Sequence, residues 1–242
     1  MGVISFLKTL LPEEVKKYIR LHTRKYYTKS YSQEGEDLIL NLIFKGKKEG
    51  FYVDVGAHHP FRFSNTFLFY TRGWRGINID ANPESIILLN KFRKRDININ
   101  LGVGEKQGTL NYYMFNEPAL NTFNENLAKE RDGLGKYKLI KTIPVKIMPL
   151  RDILNQYMPP NTIIDFMTID CEGMDFDVLQ SNDWDKFRPN VLLVEVIPAK
   201  NFAQLMSHPI NEYMESKGYE IFAKTFNTCI YLERSFKRSV LR

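Results

Sequence analysis

The sequence predicts an α/β domain with a mostly parallel, seven-stranded sheet that ends in an antiparallel hairpin. First, apolar β-rich segments alternate with helical segments, which is the pattern of βαβ units. Second, the last two β-rich segments are joined by only three residues, too few for a parallel crossover, so we expect them to pair antiparallel. Third, 242 residues with 43% apolar content suffice for one full hydrophobic core.

The order of segments along the chain gives the predicted elements. The parallel strands are expected at residues 51–57, 76–80, 97–103, 163–170 and 191–197. Helices are expected at residues 35–45, 64–72, 83–94, 173–181 and 201–217. The hairpin is expected at Tyr219–Lys224 and Thr228–Glu233. Two extra β-rich segments, 108–115 and 142–148, flank a polar stretch, residues 116–138, that is long enough to be a lid or a substrate loop.

Residues 1–30 are expected to form a basic helical arm that precedes a domain of residues 31–242. Positions 8 to 29 hold seven lysines and arginines against two glutamates. Beside these charges lie Phe6, Leu7, Leu10 and Leu11, a combination that suits peripheral contact with an anionic membrane surface. A solvated helix face is the alternative interpretation. The first residues predict neither a signal peptide nor a membrane span.

The cysteine content indicates a reducing compartment, and we expect a cytoplasmic protein. Cys171 and Cys229 are too few for a disulfide framework and lack C-x-x-C or Cys/His ligand spacing. The net charge of +6 suits anionic partners, but no zinc finger or RNP-type motif occurs, so nucleic acid is not an expected partner. Contact with the inner membrane face through residues 1–30 is the alternative location.

The turn after the first predicted strand indicates a nucleotide site. It reads Asp54-Val55-Gly56-Ala57-His58-His59-Pro60, and its glycine lets the backbone approach a ligand at the carboxyl end of the sheet. The next strand ends in Asp80, 24 residues after Gly56, where a carboxylate can accept both ribose hydroxyls of an adenosine. The turn lacks the G-x-G-x-x-G spacing that holds a pyrophosphate, which favours S-adenosylmethionine over a dinucleotide. A tight turn without a ligand is the alternative.

Several sequence blocks resemble the FkbM family of S-adenosylmethionine-dependent methyltransferases. They occur in the family's order over residues 31–197, as YSQEGED, FYVDVGAHHP, SNTFLFYTRGWRGINIDANP, INLGVGEKQGTL and FMTIDCEGMDFDVL. The resemblance implies a class I methyltransferase fold, which is Rossmann-like, and methyl transfer to oxygen, often on sugars or polyketide-like acceptors. The terminal hairpin is typical of this fold, whereas nicotinamide-binding Rossmann domains usually end in another parallel strand.

The resemblance and the position of residues along the sheet give the candidate cofactor-binding residues. Carried over by position, Asp54, Gly56 and Ala57 line the cofactor loop and Asp80 holds the ribose. The remaining candidates lie before the first strand, in the glycine turn and after it, and at the ends of the second and fourth strands: Gln33, Glu36, His58, Ser64, Asn65, Ala81 and Asp170. For Gln33 and Glu36, a contact with the following helix end is the alternative. Many family members continue the turn as N-x-G, where this chain has His58-His59-Pro60.

Methyl transfer from a sulfonium requires alignment of the donor and the acceptor and removal of the hydroxyl proton. Asp170 and Glu172, at the end of the fourth strand, are expected to orient or deprotonate the acceptor, and helix capping is the alternative. Glu195 lies in an apolar run, where a carboxylate needs a partner or a function. His59 is a further candidate base, or else a loop-stabilising residue. No metal ligand is predicted, although the three carboxylates would also suit magnesium.

The sequence therefore predicts an S-adenosylmethionine-dependent O-methyltransferase that acts on a hydroxyl of a sugar or glycan precursor. An NAD-dependent oxidoreductase is the alternative enzyme, because Asp80 suits any adenosine ribose. A non-catalytic Rossmann-like module that recruits partners through residues 1–30 is the alternative from another class.

Overall fold

The computed structural model describes residues 11–23, 28–196 and 201–240. They belong to two units, one that ends at Ser30 and one that begins at Tyr31. In the first unit, Glu13–Thr23 form helix α1, with two glutamates in its first turn. Phe6, Leu7 and Leu10 of the predicted apolar patch lie outside the described residues.

None of the described helices combines the length and the apolar character that a membrane crossing requires.

The second unit contains two sheets. Its described strands are β1 Phe51–Val55, β2 Arg75–Asp80, β3 Ile97–Asn100, β4 Gly102–Val103, β5 Gly108–Phe115, β6 Leu139–Met148, β7 Phe166–Ile169, β8 Val191–Glu195, β9 Tyr219–Lys224 and β10 Thr228–Glu233. Seven of them form the main sheet in the order β3-β2-β1-β7-β8-β10-β9. The first five strands in this order are parallel, and β10 is antiparallel to β8 and β9. The predicted fold class is confirmed.

Helices connect the strands and cover the main sheet. Those of the second unit are α2 Glu36–Ile43, α3 Phe67–Thr71, α4 Pro83–Phe92, α5 Glu125–Arg131, α6 Leu150–Tyr157, α7 Asp175–Gln180, α8 Phe202–Met206, α9 Pro209–Ser216 and α10 Arg234–Val240. The single helix expected at 201–217 is split, because Pro209 lacks the backbone donor that a continuous helix needs. His208 Nδ1 instead accepts from Ile210 N at 3.2 Å and caps α9. Helices α5, α6 and α10 were not predicted.

Side chains of the main sheet alternate between two hydrophobic clusters, one on each face. In β8, Val191 and Leu193 face the cluster that includes Leu40 of α2 and Phe69 of α3. Leu192 and Val194 face the opposite cluster, which includes residues of α6, α7 and α9. A parallel sheet buried on both faces in this way exposes mainly its two ends to ligands.

The second sheet is small and has the order β4-β6-β5. Its strand β5 has the predicted bounds, and β6 begins three residues before the predicted start at residue 142. Between β5 and β6 lies the polar stretch 116–138, called the insertion below. It folds into the 3-10 helix Pro118–Leu120 and helix α5.

Candidate active site

A cavity opens at the carboxyl ends of the parallel strands, the edge where ligands bind in open α/β sheets. Its walls come from the turns after β1 and β7, the end of β2, the segment after β3, the small sheet and the insertion. The lining residues include Gln33, Gly56, His58, Asp80, Ala81, Leu101, Tyr112, Asn121, Phe123, Asp170 and Glu172.

At Gly56, which lines this cavity, the turn after β1 lies close to the turn after β7. Its φ of 84° lies in the left-handed region that favours glycine. A Cβ at this position would lie 1.8 Å from the backbone oxygen of Asp170, which is far inside van der Waals contact. The absence of a side chain at Gly56 therefore allows the turn after β1 to lie directly against the turn after β7.

Asp80 presents a carboxylate at the end of β2 that its neighbours hold in place. Its Oδ2 accepts from His58 N and its Oδ1 from Asn82 N, both at 2.7 Å. Burial raises the pKa of Asp80 to about 6, against the lowering effect of these two hydrogen bonds. A carboxylate oxygen can accept two hydrogen bonds, so both oxygens retain capacity for ribose hydroxyls.

Asp54 lies behind the cavity wall rather than in it. Thr66 Oγ1 donates to Asp54 Oδ2 at 2.8 Å, and burial raises the pKa of Asp54 to about 6. Thr66 is in turn held by the buried Arg93, whose Nη2 donates to its Oγ1 at 3.0 Å. Asp54 is thus part of a buried polar network.

Arg93 stabilises the turn after β1 through a set of buried hydrogen bonds. Its Nε pairs with Asp96 Oδ2 at 3.0 Å, and its Nη2 donates to Tyr52 OH at 2.6 Å. Its Nη1 donates to the backbone oxygen of Pro60 at 3.3 Å. The guanidinium therefore links the turn after β1 to strand β1 and to the residue that precedes β3.

The two adjacent histidines of the turn have different surroundings. His58 lines the cavity with a φ of 47°, and its buried Nε2 has no hydrogen-bond partner among the described residues. Burial lowers the pKa of His58 to about 4, so the ring is neutral near physiological pH. His59 Nδ1 accepts from Phe61 N at 3.1 Å and from Arg62 N at 3.0 Å, and His59 is not among the lining residues. These contacts match the loop-stabilising alternative for His59.

The segment before β1 contributes one residue to the cavity and one to its support. Gln33 is exposed and lines the cavity. Glu36 is 2% exposed. Its Oε2 accepts from Glu34 N at 2.9 Å, and its Oε1 accepts from Thr225 Oγ1, in the hairpin turn, at 3.1 Å. Glu36 therefore connects this segment to the hairpin.

The remaining cofactor candidates divide between the wall and the layer behind it. Ala81 lines the cavity, and Ala57 packs in the cluster that contains Ile86 and Leu89. Ser64 Oγ accepts from Phe67 N at 3.1 Å at the start of α3. Asn65 Nδ2 donates to Thr168 Oγ1 of β7 at 2.9 Å. Ser64 and Asn65 thus hold the segment between β1 and α3 in place.

The three predicted catalytic carboxyls lie together. Asp170, Glu172 and Glu195 each offer an oxygen within 4.8 Å of the other two, and Asp170 and Glu172 line the cavity. Asp170 is open to the cavity on one side, yet the protein packed around it and the charge of Glu172 raise its pKa well above the usual range. Burial and the charges of Asp170, Glu172 and Asp175 raise the pKa of Glu195 to about 10. Glu195 therefore carries a proton near neutral pH.

Glu172 is held by residues of the insertion. Arg131 Nη2 pairs with its Oε2 at 2.5 Å, and Thr122 Oγ1 donates to its backbone oxygen at 2.8 Å. Burial raises the pKa of Glu172, and Arg131 opposes that increase. Oxygens at this spacing could also bind a divalent cation. The guanidinium of Arg131 already neutralises Glu172, however, and its positive charge disfavours a second cation.

A side chain of α7 stabilises the turn between β7 and α7. The N-cap of α7, Met174, makes no side-chain cap hydrogen bond. Asp175 supplies the side-chain acceptors, with Oδ1 2.9 Å from Cys171 N and Oδ2 3.2 Å from Gly173 N. Asp175 thus stabilises the turn that precedes α7, and no described hydrogen bond has Asp170 or Glu172 capping this helix.

Residues of the small sheet and the insertion complete the wall, and these were not predicted. Tyr112 is 7% exposed, and its ring centroid lies 4.7 Å from that of Phe123. Burial, with a contribution from the charge of Asp80, raises the pKa of Tyr112 well above 10, so its phenol is protonated. Phe123 packs on Gly102, where a Cβ would lie 2.5 Å from its ring. Tyr112 could be found from the period of two in β5, but the insertion has no such pattern.

The strand order and the carboxylate at the end of β2 are those of a class I methyltransferase fold. Residues 54–221, well over half of the chain, match the model of the Methyltransferase FkbM domain. The chain therefore belongs to the FkbM methyltransferase family, and S-adenosylmethionine is its cofactor. No curated protein matches the chain significantly.

Several solved structures are similar to this chain. The METTL16 methyltransferase domain has a TM-score of 0.43 and 12% identity over 82% of this chain, which spans 66% of that domain. Cofactor-bound Rv0187 from MTB has a TM-score of 0.46 and 11% identity over 96% of each chain. The O-methyltransferase from Bacillus cereus in complex with SAH has a TM-score of 0.38 and 12% identity over 92% of this chain and 91% of that chain.

Proposed function

We propose that the chain transfers a methyl group from S-adenosylmethionine to a hydroxyl of a sugar or glycan precursor. The observation that carries this proposal is the group of three carboxyls, Asp170, Glu172 and Glu195, beside the cofactor cavity. A hydroxyl must lose its proton as the new bond to carbon forms, and a positioned carboxylate can accept it. Sugar hydroxyls also suit a wall of hydrogen-bonding oxygens.

The residues of the cavity fit the cofactor. Asp80, fixed by two backbone N–H groups, would accept the ribose hydroxyls. Gln33 and His58, both on the wall, would border the methionine moiety, and the apolar side chains near Leu101 and Phe123 would border the adenine. When bound, the cofactor supplies a methyl group on an activated sulfonium. Alignment and proton removal are left to the protein.

Within this proposal Glu172 accepts the proton and Asp170 orients the acceptor. Arg131 favours the ionised form of Glu172. Asp170, with a raised pKa and an open side toward the cavity, is suited to hydrogen bonding with the acceptor. The hydroxyl oxygen would bond to the methyl carbon as the bond between that carbon and sulfur breaks, so that S-adenosylhomocysteine leaves. Glu172 would accept the hydroxyl proton and later release it to solvent.

Calorimetry and labelling test the proposal. S-adenosylhomocysteine should bind the purified chain, and nicotinamide cofactor should not. Tritium-labelled S-adenosylmethionine should then label a member of a panel of neutral and amino-sugar glycosides or a glycan extract of the source cells, with a methyl ether identified by mass spectrometry. Absence of binding, or label found on nitrogen or carbon, would contradict the proposal.

We also propose that the protein is cytoplasmic and that residues 1–30 contact the inner membrane face. The lysines and arginines at positions 8–29 and the exposure of Tyr18 on α1, at 63%, support this contact. Full-length protein should sediment with phosphatidylglycerol vesicles at low salt and less at high salt, because charge attraction is screened. Equal sedimentation of a chain that starts at residue 31 would contradict it.

A further inference from the structure

The insertion packs against the turn that carries the catalytic carboxylates. Thr122 Oγ1 donates to the backbone oxygen of Glu172 at 2.8 Å. A Cβ added to Gly173 would lie 3.4 Å from Leu127 Cδ2 and 3.7 Å from Asn124 Nδ2, so the start of α5 lies over this glycine. The turn after β7 is therefore covered by residues of the insertion that lie about 40 to 50 positions earlier in the chain.

Arg131, the last residue of α5, has its guanidinium fixed at both ends. Its Nη1 donates to the backbone oxygen of Leu120 at 2.9 Å, and its Nη2 pairs with Glu172 Oε2 at 2.5 Å. The two side chains are only 16% and 21% exposed, so solvent screens this pair less than it screens a surface pair. The backbone of the insertion thus aims the positive charge at Glu172 before any ligand binds.

Glu172 needs such support for two reasons. Its φ of 50° is uncommon for a residue with a side chain, and that conformation persists only where the surroundings stabilise it. Burial in the protein beside Asp170 and Glu195 also disfavours its ionised form. Arg131 opposes both effects, because it attracts Glu172 from the side of the insertion.

We propose that Arg131 is a positioning residue that holds Glu172 in place at the cavity wall, so that the insertion completes the catalytic centre. This inference rests on the proposed function, in which Glu172 accepts the proton of the acceptor. Arg131 is not among the residues that line the cavity, which is why its loss should affect turnover and not cofactor affinity. The Arg131–Glu172 ion pair thereby links the insertion to the reaction.

The test compares two residues of the same helix. Arg131→Gln should lower turnover on the labelled glycoside roughly ten- to hundredfold, because a small misplacement of a catalytic group has an effect of that size. The affinity for S-adenosylhomocysteine should stay within about twofold of the wild-type value. Arg131→Lys should restore part of the turnover, since it keeps the charge. Lys129→Gln, which removes the same charge from an exposed pair with Glu125, should leave turnover unchanged.

Combination with Glu172→Gln separates this role from general stability. If Arg131 acts through Glu172, the double variant should be no slower than Glu172→Gln alone. Additive losses would overturn the inference, as would wild-type turnover in Arg131→Gln.

Hydrogen exchange followed by mass spectrometry gives a second readout that needs no acceptor. Peptides from residues 116–138 and 170–175 should exchange faster in Arg131→Gln than in Lys129→Gln. Equal exchange in the two variants would overturn the inference. If the wild-type protein binds S-adenosylhomocysteine but methylates no sugar, the proposed function fails, and exchange still decides whether Arg131 fixes this turn.

Discussion

The two sides of the cavity are built by different means. On the cofactor side, Asp80 is fixed by backbone N–H groups of His58 and Asn82, which follow from the path of the main chain. On the acceptor side, Glu172 is fixed by side chains of the insertion, Arg131 and Thr122. Backbone donors survive most substitutions, whereas side-chain donors do not. We therefore expect cofactor binding to be robust and turnover to be sensitive to single changes.

The largest expected effect is on the acceptor side. Glu172→Gln keeps the shape of the side chain but removes its basicity, and loss of a general base lowers turnover about a hundredfold to ten-thousandfold. The affinity for S-adenosylhomocysteine should not change, because Glu172 has no expected contact with the ribose. Turnover and thermal melting are measured on the same preparation. Near-native turnover with earlier melting would show that Glu172 is a structural carboxylate, and the general base would then be sought at Asp170 and His58.

The second prediction concerns the point where the two sides meet. Gly56→Ala should lower the free energy of unfolding by on the order of 4 kcal/mol, because the new methyl group would collide with the backbone of Asp170. Gly35→Ala is the matched control, since its φ of 90° is similar but no atom lies within 4 Å of the added Cβ. It should lose only about 1 kcal/mol. Urea denaturation measures both, and equal losses would show that backbone conformation alone matters at Gly56.

The third prediction tests the cofactor side. Asp80→Ala removes the charged acceptor for two ribose hydroxyls, so S-adenosylhomocysteine should bind about ten- to hundredfold more weakly. Turnover at saturating cofactor should change little, because the ribose contacts are the same before and during methyl transfer. Calorimetry and saturation kinetics distinguish the two effects. A large loss of turnover at saturating cofactor would mean that the cofactor side and the acceptor side of the cavity do not act independently.

The smallest effect depends on pH. Asp54 has a pKa raised to about 6 from an ordinary value of 3.8, so the folded protein binds this proton more tightly than the unfolded chain does. This contribution to stability is present below the ordinary pKa and is lost as the pH rises through about 6, by on the order of 3 kcal/mol. The stability of the wild type relative to Asp54→Asn should therefore fall with rising pH. Parallel urea-denaturation curves across this range would contradict the assignment.

The sequence predicted the parts of the molecule that follow local patterns. The parallel strands and the hairpin follow from apolar segments and short links, and Asp80 follows from its place at the end of β2. The break at Pro209 was missed, although proline interrupts a helix for a known reason. His58 and His59 are the same residue type, and their surroundings differ because of the backbone conformation of the turn. No sequence pattern expresses that conformation.

The acceptor side was predicted only in part, for a physical reason. Asp170 and Glu172 stand at a strand end and could be recognised there. Arg131 and Phe123 belong to the insertion, and their importance depends on how it folds back over the sheet. Such tertiary contacts join residues far apart in the chain and leave no periodic pattern.

The buried Arg93 has a consequence for the speed of cofactor binding. It forms hydrogen bonds with Tyr52, Thr66, Asp96 and the backbone of Pro60. These bonds hold the turn after β1, which borders the cofactor cavity, in one conformation. A turn held in this way needs little reordering when the cofactor arrives. The association rate constant of the cofactor should then be set by access past the insertion, and it should hardly depend on the folding of the turn itself.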